Sequence, residues 1–137
     1  MAVILIILAL VLIAALGFYF FKRIKEARAV KMADNEYKVA ITLCNYSRLV
    51  KAQLEEAGAK GRGVIEFSRI AVPHSHGYKV SLELMSRAFR VYAVPINYGK
   101  TGRLSFYADE ALTVRAADHL GERATEQDLE YAGTQGS

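Results

Sequence analysis

The sequence predicts an α+β fold in which one long N-terminal helix, apolar in its first half, packs on a small antiparallel β-sheet. Three observations support this prediction. Residues 1–21 contain neither a charged residue nor a proline. Residues 18–57 contain neither glycine nor proline, so nothing in that stretch interrupts a helix. After Gly63 the apolar residues alternate with polar ones, a pattern typical of strands with one buried face.

The apolar segment at the start of the chain predicts a membrane span. A chain of 137 residues accommodates one modest globular domain at most, and it offers nothing to bury such a helix in a soluble core. About 20 apolar residues are enough to cross the hydrocarbon core of a bilayer. A cleavable secretory signal would begin with bases, whereas the first base here is Lys22. We therefore expect residues 1–24 to form a retained transmembrane or filament-core half of the helix.

Residues 25–57 are predicted to continue the helix as an amphipathic half. Apolar residues recur every three or four positions, which places them on one face, and Gly58 is predicted to end the helix as its C′ residue. One helix would then extend from about residue 2 to about residue 56, roughly 80 Å at about 1.5 Å per residue. The remaining residues are too few to cover a helix of that length, which argues against a soluble enzyme.

Residues 58–137 are predicted to form an antiparallel sheet head with a polar C-terminal tail. The sheet would need the apolar face of the helix to close its core. The predicted strands are Val64–Ile70, Tyr78–Leu84, Phe89–Val94, Arg103–Ala108 and Thr113–Ala117, with a turn at Asp109–Leu112. The residues expected to pack the head against the helix are Tyr37, Ile41, Cys44, Val80, Leu82 and Val91.

Cys44 is the only cysteine, so no disulfide can form within the chain. Its position in the helical pattern predicts a small buried apolar residue. No Ser-His-Asp or Cys-His arrangement is recognisable, and the sequence predicts neither an enzyme nor a bound cofactor.

Three further patterns resemble ligand sites, and each is better explained as a turn or loop. Tyr98–Thr101 resembles the end of a phosphate-binding loop, but Val94 occupies the position where that loop needs a glycine. His74 and His76 lack a third ligand nearby, so a solvated loop is expected there. The carboxylates of Asp109, Glu110 and Asp118 do not have the spacing of a calcium loop and predict a charged turn.

The basic run from Lys22 to Lys31 allows three interpretations. It is an anchor at the membrane interface, a belt facing neighbouring subunits in a filament, or a nucleic-acid-binding patch. Its position at the end of the apolar segment favours the first two, and no nucleic-acid partner is predicted.

The second half of the sequence resembles a known family. Tyr92–Gly102 contains a Pro-x-x-Tyr-Gly-x-Thr-Gly loop and leads into the aromatic strand Arg103–Asp109. Val114–Arg115 and Gly121–Asp128 then supply an arginine and a closing Ala-Thr. This pattern is similar to the sheet and tail of type IV pilins and type II secretion pseudopilins. The helix segments Ile13–Leu16 and Ala33–Glu36 also resemble pilin helix sequence, and only residues 60–76 contribute little.

The resemblance implies a pilin-like fold and a structural role in a type IV pilus-like extracellular filament. The implied partners are other copies of the chain, the inner membrane before assembly, and pilus or secretion assembly machinery. The implied location is the inner membrane first and the cell surface afterwards. The residues expected to pack the helices of neighbouring subunits are Val3, Ile4, Ile7, Leu8, Val11, Leu12, Ala15 and Phe18.

The sequence also departs from the family pattern. The basic leader before the helix and the proline that kinks its first half are absent, and Leu5 stands at the fifth position, where the family has a glutamate. The bases after the span would, by the positive-inside rule, keep the head in the cytoplasm, which conflicts with an outward head unless a basic leader once preceded Met1. Two alternatives therefore stay open: a membrane-anchored pseudopilin or minor pilin-like binding module, and a small membrane enzyme.

Overall fold

The computed structural model describes residues 2–59, 76–85 and 88–134. It confirms the predicted α+β arrangement of one long N-terminal helix and a small antiparallel sheet. The elements are α1 (Ala2–Ala59), β1 (Tyr78–Leu84), β2 (Phe89–Pro95), β3 (Ser105–Asp109) and β4 (Arg115–Ala117), followed by a 3₁₀ turn at Ala132–Thr134.

The chain divides into two compact units, Met1–Lys31 and Met32–Ser137. The first unit consists of the N-terminal part of α1. The second contains the remainder of α1 together with the sheet. The sequence analysis divided the helix after residue 24, near the end of the apolar segment, whereas the compact units meet after Lys31. The functional roles assigned to the two halves of the helix remain predictions.

Helix α1 extends slightly further than the sequence predicted. Gly58 is still helical, and the helix ends at Ala59. A glycine inside a helix costs only about 1 kcal/mol relative to alanine, and the alanines on both sides of Gly58 favour helix. The expected flexible run after Gly58 and the expected strand Val64–Ile70 fall largely or wholly on residues 60–75, which lie outside the described residues.

The four strands form an antiparallel sheet in the order β1-β2-β3-β4. Pairing of Tyr78 with Pro95 and of Ala93 with Phe106 sets the register, so alternate side chains of neighbouring strands share a face. The predicted bounds of β1 are confirmed, and those of β2 are extended by Pro95.

The third and fourth strands begin two residues later than predicted. Strand β3 starts at Ser105 because the preceding backbone N–H groups, those of Arg103 and Leu104, donate to the Glu36 carboxylate instead of a neighbouring strand. Before β4, the N–H of Leu112 closes a turn onto the carbonyl of Asp109 at 3.0 Å. That interaction confirms the predicted turn and delays the extended backbone to Arg115.

The core of the second unit lies between α1 and one face of the sheet. Val39, Leu43 and Val50 on the helix are fully buried in one cluster with side chains of the sheet. Fully burying an aliphatic or aromatic side chain contributes about 1.5–3 kcal/mol, so this cluster is the main source of stability for the unit. The largest fully buried partners from the sheet are Phe89, Val91 and Phe106.

Candidate interaction surfaces

The N-terminal part of α1 exposes a continuous apolar surface. The large apolar side chains from Val3 to Phe21 are between 49% exposed (Leu16) and 73% exposed (Phe18). By length and composition, α1 is the one helix in the described ranges that is apolar enough to cross a membrane. The structure is therefore compatible with membrane anchoring.

The predicted subunit-packing residues all lie on this exposed surface. At about 100° per residue they cover one half of the helix circumference. The opposite half is equally apolar and equally exposed, with Leu5 at 64% and Ile13 at 65%. Exposure therefore does not distinguish one face of the helix as the one that packs against other copies. The predicted packing face, here called the seam, stays a prediction. Its members are Val3, Ile4, Ile7, Leu8, Val11, Leu12, Ala15 and Phe18.

A group of five cations, which we call the basic belt, follows the apolar surface. The guanidinium of Arg23 lies 5.5 Å from the centre of the Tyr19 ring, and its Nε donates to the Tyr19 hydroxyl at 3.1 Å. The Nζ of Lys25 lies 4.7 Å from the centre of the Phe21 ring. Both side chains extend towards the helix N-terminus, the direction in which helical side chains tilt. The belt comprises Lys22, Arg23, Lys25, Arg28 and Lys31, all exposed.

Most of the predicted contacts between helix and sheet lie in or beside the core of the second unit. Cys44 and Val91 are buried in the cluster, and Val80 and Leu82 are partly buried against it. Cys44 is thus the buried apolar residue that the sequence predicted. Ile41 is partly buried.

The prediction that Tyr37 packs in the core between the head and the helix is corrected, because Tyr37 is 48% exposed and lies outside the core. The buried face of the helix is centred on Val39, Leu43 and Val50. At about 100° per residue, Tyr37 lies roughly 140° around the helix from the centre of that face.

The segment Asn97–Gly102 forms the glycine-rich turn that the sequence predicted. The N–H groups of Lys100 and Thr101 both donate to the carbonyl of Asn97, at 3.0 and 2.9 Å. Gly99 adopts a φ of 73°, which a residue without a Cβ accepts at little cost. A strand follows the turn, not the helix that a phosphate-binding loop requires.

Two polar residues of α1 attach this turn to the helix. The Nδ2 of Asn35 donates to the carbonyl of Thr101 at 2.8 Å. The Oε1 of Glu36 accepts from the N–H groups of Arg103 at 2.7 Å and Leu104 at 3.1 Å. Sequence reasoning missed both roles, since a helical asparagine and glutamate carry no signal of a partner more than 60 residues away.

Residues 118–131 form a segment, here called the C-terminal strap, that follows β4 and packs on the outer face of the sheet. Ala124 is buried with Tyr92 and Tyr107, whose rings pack edge to face with centres 5.6 Å apart. The guanidinium of Arg123 lies 4.6 Å from the centre of the Tyr92 ring and forms an ion pair with Glu83. The strap therefore covers the sheet face that points away from the helix.

The second half of the strap extends the sheet beyond β4. The N–H of Ala116 donates to the carbonyl of Leu129 at 3.0 Å, and that of Tyr131 donates to the carbonyl of Val114 at 2.8 Å. The ring of Tyr131 then packs edge to face on Phe106, with centres 5.3 Å apart. The sequence predicted only a polar tail in this region, and this role was not predicted.

Asp128 holds the strap together. Its Oδ2 lies 2.7 Å from His119 Nε2 and accepts from the N–H of Thr125 at 2.6 Å, while its carbonyl accepts from Arg115 at 3.0 Å. Burial by itself would raise the pKa of Asp128, but the hydrogen bonds from Thr125 and His119 stabilise the carboxylate, and the pKa is lowered.

The carboxylates considered for a calcium site serve the turns around them. Asp109 accepts from the N–H of Ala111 and from the Tyr107 hydroxyl. Burial, followed by that hydrogen bond, raises the pKa of Tyr107 to about 12. Asp118 accepts from the Tyr98 hydroxyl at 2.9 Å and from the N–H of Leu120 at 3.1 Å. The Oδ2 of Asp118 also accepts from the Tyr98 hydroxyl at 3.0 Å and lies 3.7 Å from the Nε of Arg103, so both carboxylates interact with groups of the chain itself.

Across the described ranges, no group of three or more His, Cys, Asp and Glu side chains is arranged to hold a metal ion. His76 is exposed in the turn before β1, as expected of a solvated loop, and His74 lies outside the described residues. Glu110 is exposed, with its carbonyl accepting from the Nζ of Lys51 at 3.1 Å.

Comparison of the chain with protein-family models, with curated proteins and with solved structures finds no match.

Proposed function

We propose that this chain is a structural subunit of a type IV pilus-like extracellular filament, assembled through its apolar N-terminal helix, and that it is not an enzyme. The observation that carries the proposal is the apolar surface from Val3 to Phe21, which is exposed along its whole length. A surface of this size requires lipid or another protein to cover it. The resemblance of Tyr92–Asp128 to pilin sheet and tail sequence favours a filament among the possible protein partners.

In the proposed mechanism, the apolar segment has two successive environments. Before assembly it lies in the inner membrane, where lipid covers it. During assembly the machinery extracts it, and the same side chains pack against those of neighbouring copies. Relative to exposure to water, each large apolar side chain buried in this way contributes about 1.5–3 kcal/mol, and the loss of lipid contacts offsets much of that gain. The sheet head is then displayed at the filament surface.

A membrane-anchored pseudopilin or minor pilin-like binding module that forms no long filament is the second candidate. The lack of any carboxylate among residues 1–21 favours it, because the resemblance implies a glutamate in the apolar part of the helix that pairs with the N-terminal amine of a neighbouring subunit. The membrane segment would then serve as an anchor alone, and the head would capture a partner.

Electron microscopy of sheared cell-surface material, combined with mass spectrometry of the N-terminus of the chain, tests the proposal. Thin uniform filaments that contain the chain, beginning at a processed residue, are the expected result. An intact Met1 on a chain confined to the membrane fraction, in cells without such filaments, would contradict the polymer and favour the anchored module.

A further inference from the structure

We propose that the basic belt binds the headgroups of anionic phospholipids while the chain is held in the membrane. The inference depends on the proposed function only in requiring that the apolar segment lies in a bilayer, and it does not require a filament. The belt directly follows 21 residues that carry no charge, so it would lie where the hydrocarbon core ends. Cations at that depth meet the lipid headgroups.

The belt has a strong excess of positive charge. Its five cations accompany a single carboxylate, that of Glu26, within residues 22–31. That carboxylate lies 4.0 Å from the Nζ of Lys22, and both side chains are well exposed, so their attraction is weak in water. The remaining four cations have no acidic partner within the segment, and their charge complements an anionic surface.

The distribution of the cations around the helix favours lipid over a protein or nucleic acid. At about 100° per residue, the five positions are spread around the entire helix circumference and do not form a stripe. A folded partner docks on one side of a helix and would meet only two or three of these cations. Headgroups surround a spanning helix on all sides and can therefore contact cations on every face of it.

The side-chain geometry agrees with this location. The cationic ends of Arg23 and Lys25 extend back one turn towards the apolar segment and lie over the rings of Tyr19 and Phe21. Long basic side chains adopt this arrangement at membrane interfaces, where the stem remains apolar and the charge reaches the headgroups. Tyrosine is also enriched at that level of the bilayer.

The test is the lipid selectivity of the full chain in bilayers. The unassembled chain is reconstituted in phosphatidylcholine, with a trace of spin-labelled phosphatidylglycerol or phosphatidylcholine, and the motionally restricted fraction of each label is measured. We expect a several-fold preference for the anionic label, falling as the salt concentration rises from about 0.05 to about 0.5 M.

Two triple variants remove equal charge. The belt variant carries Lys25→Gln, Arg28→Gln and Lys31→Gln, and it is expected to lose most of the preference. Glutamine has nearly the helix propensity of lysine and arginine, so the helix is retained, which circular dichroism verifies. The control variant carries Arg48→Gln, Lys79→Gln and Lys100→Gln at exposed positions of the second unit, and it is expected to keep the preference.

Four results would overturn the proposal. The first is equal restriction of both labels by the wild-type chain, and the second is equal loss of preference in both variants. The third is unchanged lipid preference in the belt variant, and loss of filaments by that variant in cells would then assign the belt to a neighbouring subunit. Displacement of the anionic lipid by inorganic phosphate at a matched concentration would identify a general anion site instead. Absence of filaments, by contrast, would contradict the proposed polymer and leave this inference intact.

Discussion

At the scale of single residues, the contact between Tyr78 and Gly102 shows how closely the head is packed. The Tyr78 hydroxyl donates to the carbonyl of Leu104 at 2.9 Å, and its ring packs on Phe106. Burial raises the pKa of Tyr78, so the hydroxyl keeps its proton and remains a donor. A Cβ at position 102 would overlap the Tyr78 hydroxyl, and glycine is therefore the residue that fits there.

We expect Gly102→Ala to lower the free energy of unfolding of the head by about 1–3 kcal/mol, because neither Tyr78 nor the backbone can move away. Thermal unfolding of the full chain in detergent, followed by the near-ultraviolet dichroism of tyrosine, measures this change. Gly58→Ala is the matched control: an added Cβ meets nothing within 4 Å there, and helix propensity favours the alanine. Equal unfolding temperatures for wild type and Gly102→Ala would contradict the packing described.

Asp128 makes the head sensitive to acid. Its pKa is lower in the folded chain than its ordinary value of about 4. A lowered pKa contributes stability that is present above the ordinary pKa and is lost as the pH falls through the folded value. The free energy of unfolding should therefore decrease as the solution is taken from about pH 5 to below about pH 3.

The Asp128→Asn variant should lose about 1 kcal/mol at neutral pH, since the hydrogen bonds to a charged acceptor are replaced by weaker ones. It should also show a smaller decrease in stability with acid than the wild-type chain. Urea unfolding at pH 7 and pH 3, followed by tyrosine fluorescence, gives both quantities. Glu122→Gln, which changes an exposed carboxylate of the same strap, should behave like wild type. An identical acid dependence in all three proteins would count against the assigned role of Asp128.

At the scale of elements, the strap acts as an additional edge of the sheet. It pairs with β4 through backbone hydrogen bonds and brings Tyr131 against the core residue Phe106. Its first half meanwhile covers Tyr92 and Tyr107 on the outer face. A three-residue strand such as β4 is short for a sheet edge, and the strap gives that edge a hydrogen-bonded partner.

Tyr131→Ala should destabilise the head by about 2 kcal/mol, because a partly buried aromatic side chain is removed from the core and leaves a cavity. Leu129→Ala provides the control within the same segment. The Leu129 side chain is 83% exposed, while its backbone makes the pairing hydrogen bond, so this substitution should be nearly neutral. Denaturant unfolding of both variants measures the difference. Equal stability of the two variants would show that the strap contributes through its backbone alone.

At the scale of the whole molecule, the two units differ in whether they bury their own apolar side chains. The second unit buries its own core and provides the hydrogen bonds of its sheet and strap. The first unit exposes apolar side chains along its length and requires an external environment. In the proposed filament, that environment is supplied by other copies of the chain.

Crosslinking tests which face of the helix contacts another copy. In a Cys44→Ala background, single cysteines are introduced as Val11→Cys on the predicted seam and Ile13→Cys on the opposite half. Oxidation of assembled material should give more covalent dimer with the first variant, because helices packed through the seam bring those thiols within disulfide distance. Equal yields of covalent dimer from the two variants would contradict the predicted seam.

By itself, the sequence determined the long helix, the bounds of β1, and the turns at Asn97–Gly102 and Asp109–Leu112. It also determined the bounds of β2 to within one residue. Each of these depends on local chemistry: the absence of glycine and proline, the two-residue alternation, and turn residues at fixed spacing. The tertiary structure decided which helix face is buried, so that Val39 and Leu43 enter the core and Tyr37 does not. It also decided the roles of Glu36, Asp128 and the strap. Some of these contacts join polar groups that are distant along the chain, and others cover a face of the sheet. A local sequence pattern does not encode them, because the contacting residues meet only when the sheet, the helix and the strap have packed.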